Sequence, residues 1–298
     1  MKKLMTIVAI CAGTGFISGS AFAADVVTEA CGISGVISAF GTLNSTDGSY
    51  NDGEGNSFGA VGKMNMCNVF GTGLNVQSDV YAEHANATGG DIEDYDATSF
   101  GSVSHLYWRD SDRFAIGVLY GSGYFKESYT DEKNGINGVI GADAHIYLDN
   151  MTLAAQGAYW NNFDTESSSA TADIDNAWEV SLEGRYFATE NLKLTARISY
   201  DENETTTCTC DWAAFRFGGG AEYKFDSVPL SLFASYTRVE GKIGTDYTDP
   251  DNEDSDIFKF GLSLHVNQNT LLAEDRNGAS FSTPYVDPWT NISNAYYR

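Results

Sequence analysis

The sequence predicts an all-β fold: a transmembrane, antiparallel, up-and-down barrel of twelve strands. Three observations predict it. Long runs of residues alternate between apolar and polar, the connections between them alternate between short and long, and an export signal precedes them all.

The export signal comes first. Lys2 and Lys3 form a positive start, Leu4 to Ile17 is mostly apolar, and Ala21-Phe22-Ala23 has the small-x-small form of a cleavage site. Residues 1–23 therefore read as a signal peptide, and the apolar stretch is too short and too rich in Gly and Ser for a spanning helix. No later stretch reaches the roughly 18 apolar residues such a helix needs. Gly is abundant at 31 and Pro scarce at 4, with Tyr and Phe at 17 each, a composition that suits many strands.

The alternation is clearest in Leu74-Asn75-Val76-Gln77-Ser78-Asp79-Val80-Tyr81-Ala82-Glu83. Leu74, Val76, Val80 and Ala82 form one face, and Asn75, Gln77, Asp79 and Glu83 form the other. Period two means a strand with one dry and one wet face. Residues 192–200 and 258–266 repeat it. Twelve such runs lie near 32–44, 57–67, 73–84, 98–108, 113–125, 136–148, 151–161, 177–188, 191–201, 212–225, 229–240 and 256–266. Their length suits tilted strands crossing a hydrocarbon core of about 30 Å.

Short connections fall at 68–72, 109–112, 149–150, 189–190 and 226–228. Long ones fall near 45–56, 85–97, 126–135, 162–176, 202–211 and 241–255. This spacing predicts periplasmic short turns, extracellular long loops, and both termini on the periplasmic side. A soluble sandwich also alternates, but seldom sustains strands this long. The aromatics Tyr107, Trp108, Phe114, Tyr147, Tyr159, Trp160, Trp178, Tyr186, Phe187, Tyr200, Trp212, Phe225 and Tyr236 read as interfacial girdles near the strand ends.

Lys259-Phe260-Gly261-Leu262-Ser263-Leu264-His265-Val266 resembles the assembly signal of Gram-negative outer-membrane β-barrels: polar-x-Gly-x-x-hydrophobic-x-hydrophobic in the last strand. The nearest named group is the porin-like channel proteins. The resemblance implies insertion by the barrel-assembly machinery into outer-membrane lipid and lipopolysaccharide. One departure is that the usual signal ends its chain with an aromatic, whereas residues 267–298 follow here. With Thr283-Pro284-Tyr285 and Asp287-Pro288-Trp289, that segment reads as an extended periplasmic tail. The barrel unit is 24–266.

The formal charge is −24, about two units more negative once Lys2 and Lys3 leave. A chain this acidic repels nucleic acid. The loop carboxylates Asp249, Asp251, Glu253 and Asp254 are crowded but lack the central Gly of a Ca²⁺ loop, so at most weak, diffuse Ca²⁺ or Mg²⁺ binding is expected, and no cofactor. Solvated loop charge is the plainer reading. Four cysteines follow the signal: Cys31, Cys67, Cys208 and Cys210. Cys31 and Cys67 meet at one hairpin end, where a bridge is geometrically allowed; Cys208 and Cys210 either bridge as a small ring or stay thiols.

A hydrolase needs a nucleophile beside a base. None of His84, His105, His145 and His265 stands in a Ser–His or His–Asp motif of the barrel enzymes, so the reading is not an enzyme. What remains is the inner wall. Strand parity gives a basic wall of Arg185, Lys193, Arg197, Arg216 and Lys224, interleaved with Glu179, Glu183 and Glu222. Opposite it stands an acidic and polar wall of Asn75, Gln77, Asp79, Glu83, Asn137, Asp143 and His145. Facing walls of opposite sign set up a transverse field that orients polar solutes. The reading is a porin-like channel for passive diffusion of small hydrophilic solutes or ions. The alternative is a closed structural or surface-interaction barrel acting through its acidic loops, with a salt-bridged interior. Oligomeric state is not written in the sequence.

Overall fold

Alternation at this length leaves the backbone one way to satisfy itself in lipid: every strand must pair on both sides, so the sheet must close. The computed structural model describes residues 32–48, 53–89, 92–128, 132–166, 174–205, 211–244 and 251–284. In it twelve antiparallel strands form one closed barrel. They are β1 (Ile33–Gly48), β2 (Gly53–Met66), β3 (Leu74–Gly89), β4 (Ile92–Asp110), β5 (Phe114–Ser128), β6 (Glu132–Leu148), β7 (Met151–Glu166), β8 (Ile174–Thr189), β9 (Leu192–Thr205), β10 (Asp211–Lys224), β11 (Leu230–Gly244) and β12 (Asp251–Val266). Each pairs with its sequence neighbours, and β1 closes on β12 from Gly35 opposite Val266 to Gly48 opposite Glu253. All twelve predicted strands are present.

The faces follow the parity read from the sequence. Leu74 and Val80 point outward while Asn75, Gln77 and Asp79 are buried inside. Ile37, Leu43, Phe58, Phe100, Ile140 and Leu182, with their outward neighbours, form the apolar exterior band of a membrane barrel. The girdle reading needs correction. Trp108, Tyr159, Trp178, Tyr186 and Tyr200 do face outward, but Tyr107, Tyr147, Trp160 and Phe187 are buried in the lumen. Adjacent aromatics on a strand must take opposite faces, so Tyr107-Trp108, Tyr159-Trp160 and Tyr186-Phe187 each send one ring inside.

The short turns use left-handed positions where Asn and Asp fit: Asp149 has φ 42° in the two-residue turn Asp149-Asn150, and Asn68 has φ 51° after β2. At the other end the strands outrun the sequence reading. They span 14 to 19 residues, against the about 9–11 that cross a bilayer, so much of the expected long loops is strand that projects beyond the membrane. Just below those projections the inner faces pair hydroxyl to hydroxyl and carboxylate: Thr42 and Ser57 lie 2.6 Å apart, and Ser57 donates to Glu83 at 2.6 Å.

Closure is tight at Gly261 in β12. A Cβ there would press on the Ala39 carbonyl oxygen of β1 and on the Phe233 ring of β11. Gly261→Ala is therefore expected to weaken the β1–β12 seam. Heat-modifiable electrophoretic mobility measures it: the variant should unfold at a lower temperature than wild type, and an unchanged transition contradicts the packing argument.

Residues 267–284 depart most from expectation. The tail is not simply extended. Thr270 accepts from the Ala273 N–H at 3.1 Å and caps a short helix, α1 (Leu271–Asn277), and the chain then turns up inside the barrel. Leu271 and Leu272 are buried against Phe187. The period-two wall gives two leucines somewhere dry to go only inside the short-turn mouth.

The lumenal site

The helix α1 lies across the short-turn mouth, tied to one turn after another. The Leu272 N–H donates to the Glu190 carbonyl at 3.0 Å, and Arg276 donates to the carbonyls of Asp149 and Met151 at 2.8 and 3.1 Å. Its guanidinium also lies over the Tyr147 ring. Ser111 donates to Asn277 at 2.7 Å.

Asp275 reaches the wall. It accepts from Arg185 at 2.8 Å and from the Thr152 hydroxyl at 2.5 Å. Burial alone would raise the Asp275 pKa, but the guanidinium beside it outweighs that and holds the carboxyl below its usual value. Arg185 also donates to Glu183 at 2.5 Å and to the Ser280 carbonyl at 2.9 Å. Glu274 lies 2.5 Å from His265 Nδ1, and Lys224 donates to the Asn269 carbonyl at 2.6 Å.

Beyond α1 the tail climbs along β3. Phe281 is fully buried, with its ring 4.3 Å from that of His145, 4.5 Å from Tyr107 and 5.5 Å from His105. Gln77 holds the backbone of that one residue from both sides: its carbonyl accepts from the Phe281 N–H and its amide donates to the Phe281 carbonyl, both at 3.0 Å. Lys63 donates to the same carbonyl at 2.7 Å. Thr283 donates to Asp79 at 2.6 Å, one inward step further up.

Beside the described part of the tail the acidic and polar wall is a buried hydrogen-bonded network. Asp79 lies 3.9 Å from Lys63 and 3.5 Å from His105 Nε2, whose Nδ1 is 2.8 Å from Asp143. Gln156 bridges Asp143 and the Ser282 carbonyl at 2.7 and 2.8 Å. His145 stacks on Phe281, Glu83 accepts from Ser57, and Asn75 accepts from the Asn68 N–H at 2.9 Å. Asn137 is buried as well.

The basic wall behaves differently. Lys193 pairs with Glu222 at 2.6 Å, Arg216 with Asp201 at 2.9 Å, and Arg197 with Glu179 at 2.7 Å, while Arg197 keeps 36% of its side-chain surface exposed. Arg185 and Lys224 belong to the tail-holding set. A cavity of about 290 Å³ lies between this wall and the tail, bounded by Lys63, Glu183, Arg185, Lys193, Glu222 and Asp275. Within the described residues the tail stands between Gln77 and Asp79 on one side and Arg185 on the other. Each cation of the basic wall already has a carboxylate or carbonyl beside it, which shortens the reach of any transverse field.

Cys67 is disulfide-bonded. Cys31, Cys208, Cys210 and Asp249 lie outside the described residues, as do the side chains of Asp251 and Glu253. Asp254 is engaged by Arg238, which also holds Asp256 at 3.1 Å. Among the described residues no cluster of three or more metal-ligating side chains occurs. Sequence reasoning missed Lys63, His105, Arg109, Thr152, Gln156 and the whole tail face. Parity marks the wall residues as inward, and Thr270-Leu271-Leu272 with Gly278 eight residues after Thr270 is a readable helix start and stop.

No family model and no curated protein matches this chain. Solved structures do. The translocator domain of the autotransporter NalP from Neisseria meningitidis aligns with TM-score 0.52 at 11% identity, over 80% of this chain and 90% of that one. An outer membrane channel from Pseudomonas putida F1 aligns at 0.52 and 12%, over 81% and 98%. The fold is that of an outer-membrane β-barrel. The β domain of the Bordetella autotransporter BrkA aligns at 0.50 and 13%, over 77% and 98%. At such identities the likeness of this outer-membrane-type barrel to each is one of fold.

Proposed function

We propose that the protein is a passive outer-membrane channel for small hydrophilic solutes, with its water path along the β8–β12 and β1 wall beside the tail. The observation that carries this reading is the charged cavity of about 290 Å³ between that wall and the tail. Its paired Lys, Arg and Glu side chains, set among Val36, Phe233 and Leu271, suit small hydrated solutes of either sign. The fold shared with the channel from Pseudomonas putida F1 agrees with it.

Planar-bilayer recording tests it. Arg197→Glu and Arg216→Glu are expected to move the reversal potential away from anions. Reversal potentials unchanged by both substitutions place the path elsewhere. Absence of any conductance favours the second reading, a closed barrel that acts through acidic loops bridged to lipopolysaccharide by divalent cations. That reading draws on the same pairing, because every cation on the basic wall has a hydrogen-bonded or ion-pair partner at 2.9 Å or closer.

A further inference from the structure

We propose that the short-turn half of the lumen is a peptide-binding site that takes one phenylalanine in an extended backbone, and that residues 278–284 occupy it in cis as a ligand.

The way the tail is held argues for a ligand and against a thirteenth piece of wall. From Gly278 to Thr283 no described ladder pairs the tail with a strand. Its carbonyls are read one at a time by side chains. Arg109 donates to Gly278 at 2.8 Å, Arg185 to Ser280 at 2.9 Å, Lys63 and Gln77 to Phe281, and Gln156 to Ser282 at 2.8 Å. Side chains that address successive peptide groups, with a pocket for one side chain, are how binding sites hold extended peptides. A wall element of a barrel would instead carry the sheet's own hydrogen bonds.

The site also states what it accepts. Gln77 donates to and accepts from the same residue, so that residue needs a free N–H and is not proline. The box of His105, Tyr107 and His145, with the Arg109 guanidinium 5.7 Å from the Phe281 ring centre, fits a flat aromatic ring. Arg109 donates to the Ser280 hydroxyl at 2.8 Å, so a small polar residue precedes the aromatic. Lys63, Arg109 and Arg185 around the tail are matched by Asp79, Asp143 and Glu183, so a net charge of either sign at the flanking positions meets a like charge. The ligand class is an uncharged extended segment of small residues around one phenylalanine. The consequence for conduction, a lumen that narrows when the site fills, rests on the channel reading; the binding does not.

The test keeps the full chain. A protease recognition sequence is inserted between Asn267 and Gln268, where Asn267 is exposed and has φ 58°, and is cut after folding. The severed tail is expected to leave on dilution, and a labelled synthetic peptide of residues 268–298 to rebind saturably. The same peptide with Phe281→Ala should bind on the order of a hundredfold more weakly or worse. A tail that never exchanges with excess labelled peptide is a fixed part of the fold and overturns the proposal, as does equal affinity of the Phe281→Ala peptide. Saturable binding with a conductance indifferent to cutting refutes the narrowing of the path by the tail and leaves the site standing. If the insertion blocks folding, 4-fluorophenylalanine at position 281 of the uncut chain reports the same equilibrium. Excess peptide 277–284 should raise a second, released fluorine resonance, and a single unresponsive one overturns the proposal.

Discussion

Replacing Arg185 by alanine is expected to cost the folded protein about 3–5 kcal/mol and to loosen the tail from the lumen. The guanidinium is only 6% exposed, and it is shared by Glu183, Asp275 and the Ser280 carbonyl. Its loss leaves Glu183 and Asp275 only their longer pairs, with Arg197 at 3.9 Å and Arg276 at 3.7 Å, and a penalty larger than the net worth of the lost pairs themselves. Arg185→Lys should recover part of the loss, since a lysine ammonium cannot present the guanidinium fork to two carboxylates at once. Arg197→Ala is the control. That side chain is 36% exposed and its ion pairs face water, so the expected cost is at most about 1 kcal/mol. Thermal unfolding followed by electrophoretic mobility measures all three. Equal shifts for Arg185→Ala and Arg197→Ala would show that the tail latch contributes nothing special.

The barrel was legible because its physics is periodic. A strand in lipid has one apolar face, so Leu74 to Glu83 declares both its conformation and its orientation without reference to any other residue. The turn at Asp149-Asn150 is equally local. The strand ends were not legible on the long-connection side, where the projecting parts of β3 and β4 alternate mainly alanine with polar residues and look like loop. They are strand because their neighbours are strand, a property of closure and not of composition. The girdle rings show the same limit in miniature. Proximity to a strand end places an aromatic at membrane depth, but only parity decides whether it meets lipid, like Trp108, or a tail in the lumen, like Tyr107.

The candidate site was legible by face but not by partner. Parity put Gln77, Asp79, Asp143, His145 and Arg185 inside, where they are. It carries no information about a segment about 200 residues away that returns to them. Asp275 and Phe281 sit 90 residues from Arg185 and 204 from Gln77 along the chain. The charge balance of the wall held a hint. The inward face of β8 to β10 offers Arg185 and Lys224 beside Glu179, Glu183 and Glu222, and a lumen that stayed full of water would have little need to bury Arg185 so completely.

Asp79→Ala should show the second large loss, because Asp79 is the hub of the other wall. It is fully buried, accepts from the Gln77 amide at 2.8 Å and the Thr283 hydroxyl at 2.6 Å, and lies 3.9 Å from the Lys63 ammonium and 3.5 Å from His105 Nε2. Removing the carboxylate leaves a half-buried ammonium and several donors without their acceptor, a loss of about 3–5 kcal/mol. The Lys63 ammonium keeps the Phe281 carbonyl, so the tail should stay docked but less tightly. Asp79→Asn keeps the shape and an acceptor oxygen and removes the charge, so it isolates the electrostatic part. The decisive comparison is a double-mutant cycle. If the penalty comes from an uncompensated Lys63, then Asp79→Ala with Lys63→Met should cost less than the sum of the two single changes, with a coupling of roughly 1–3 kcal/mol. Thr283→Val with Asp79→Ala should couple more weakly, because it removes one neutral donor and no charge. Strict additivity of Asp79 and Lys63 would mean that water already reaches this wall, and that the tail does not seal it.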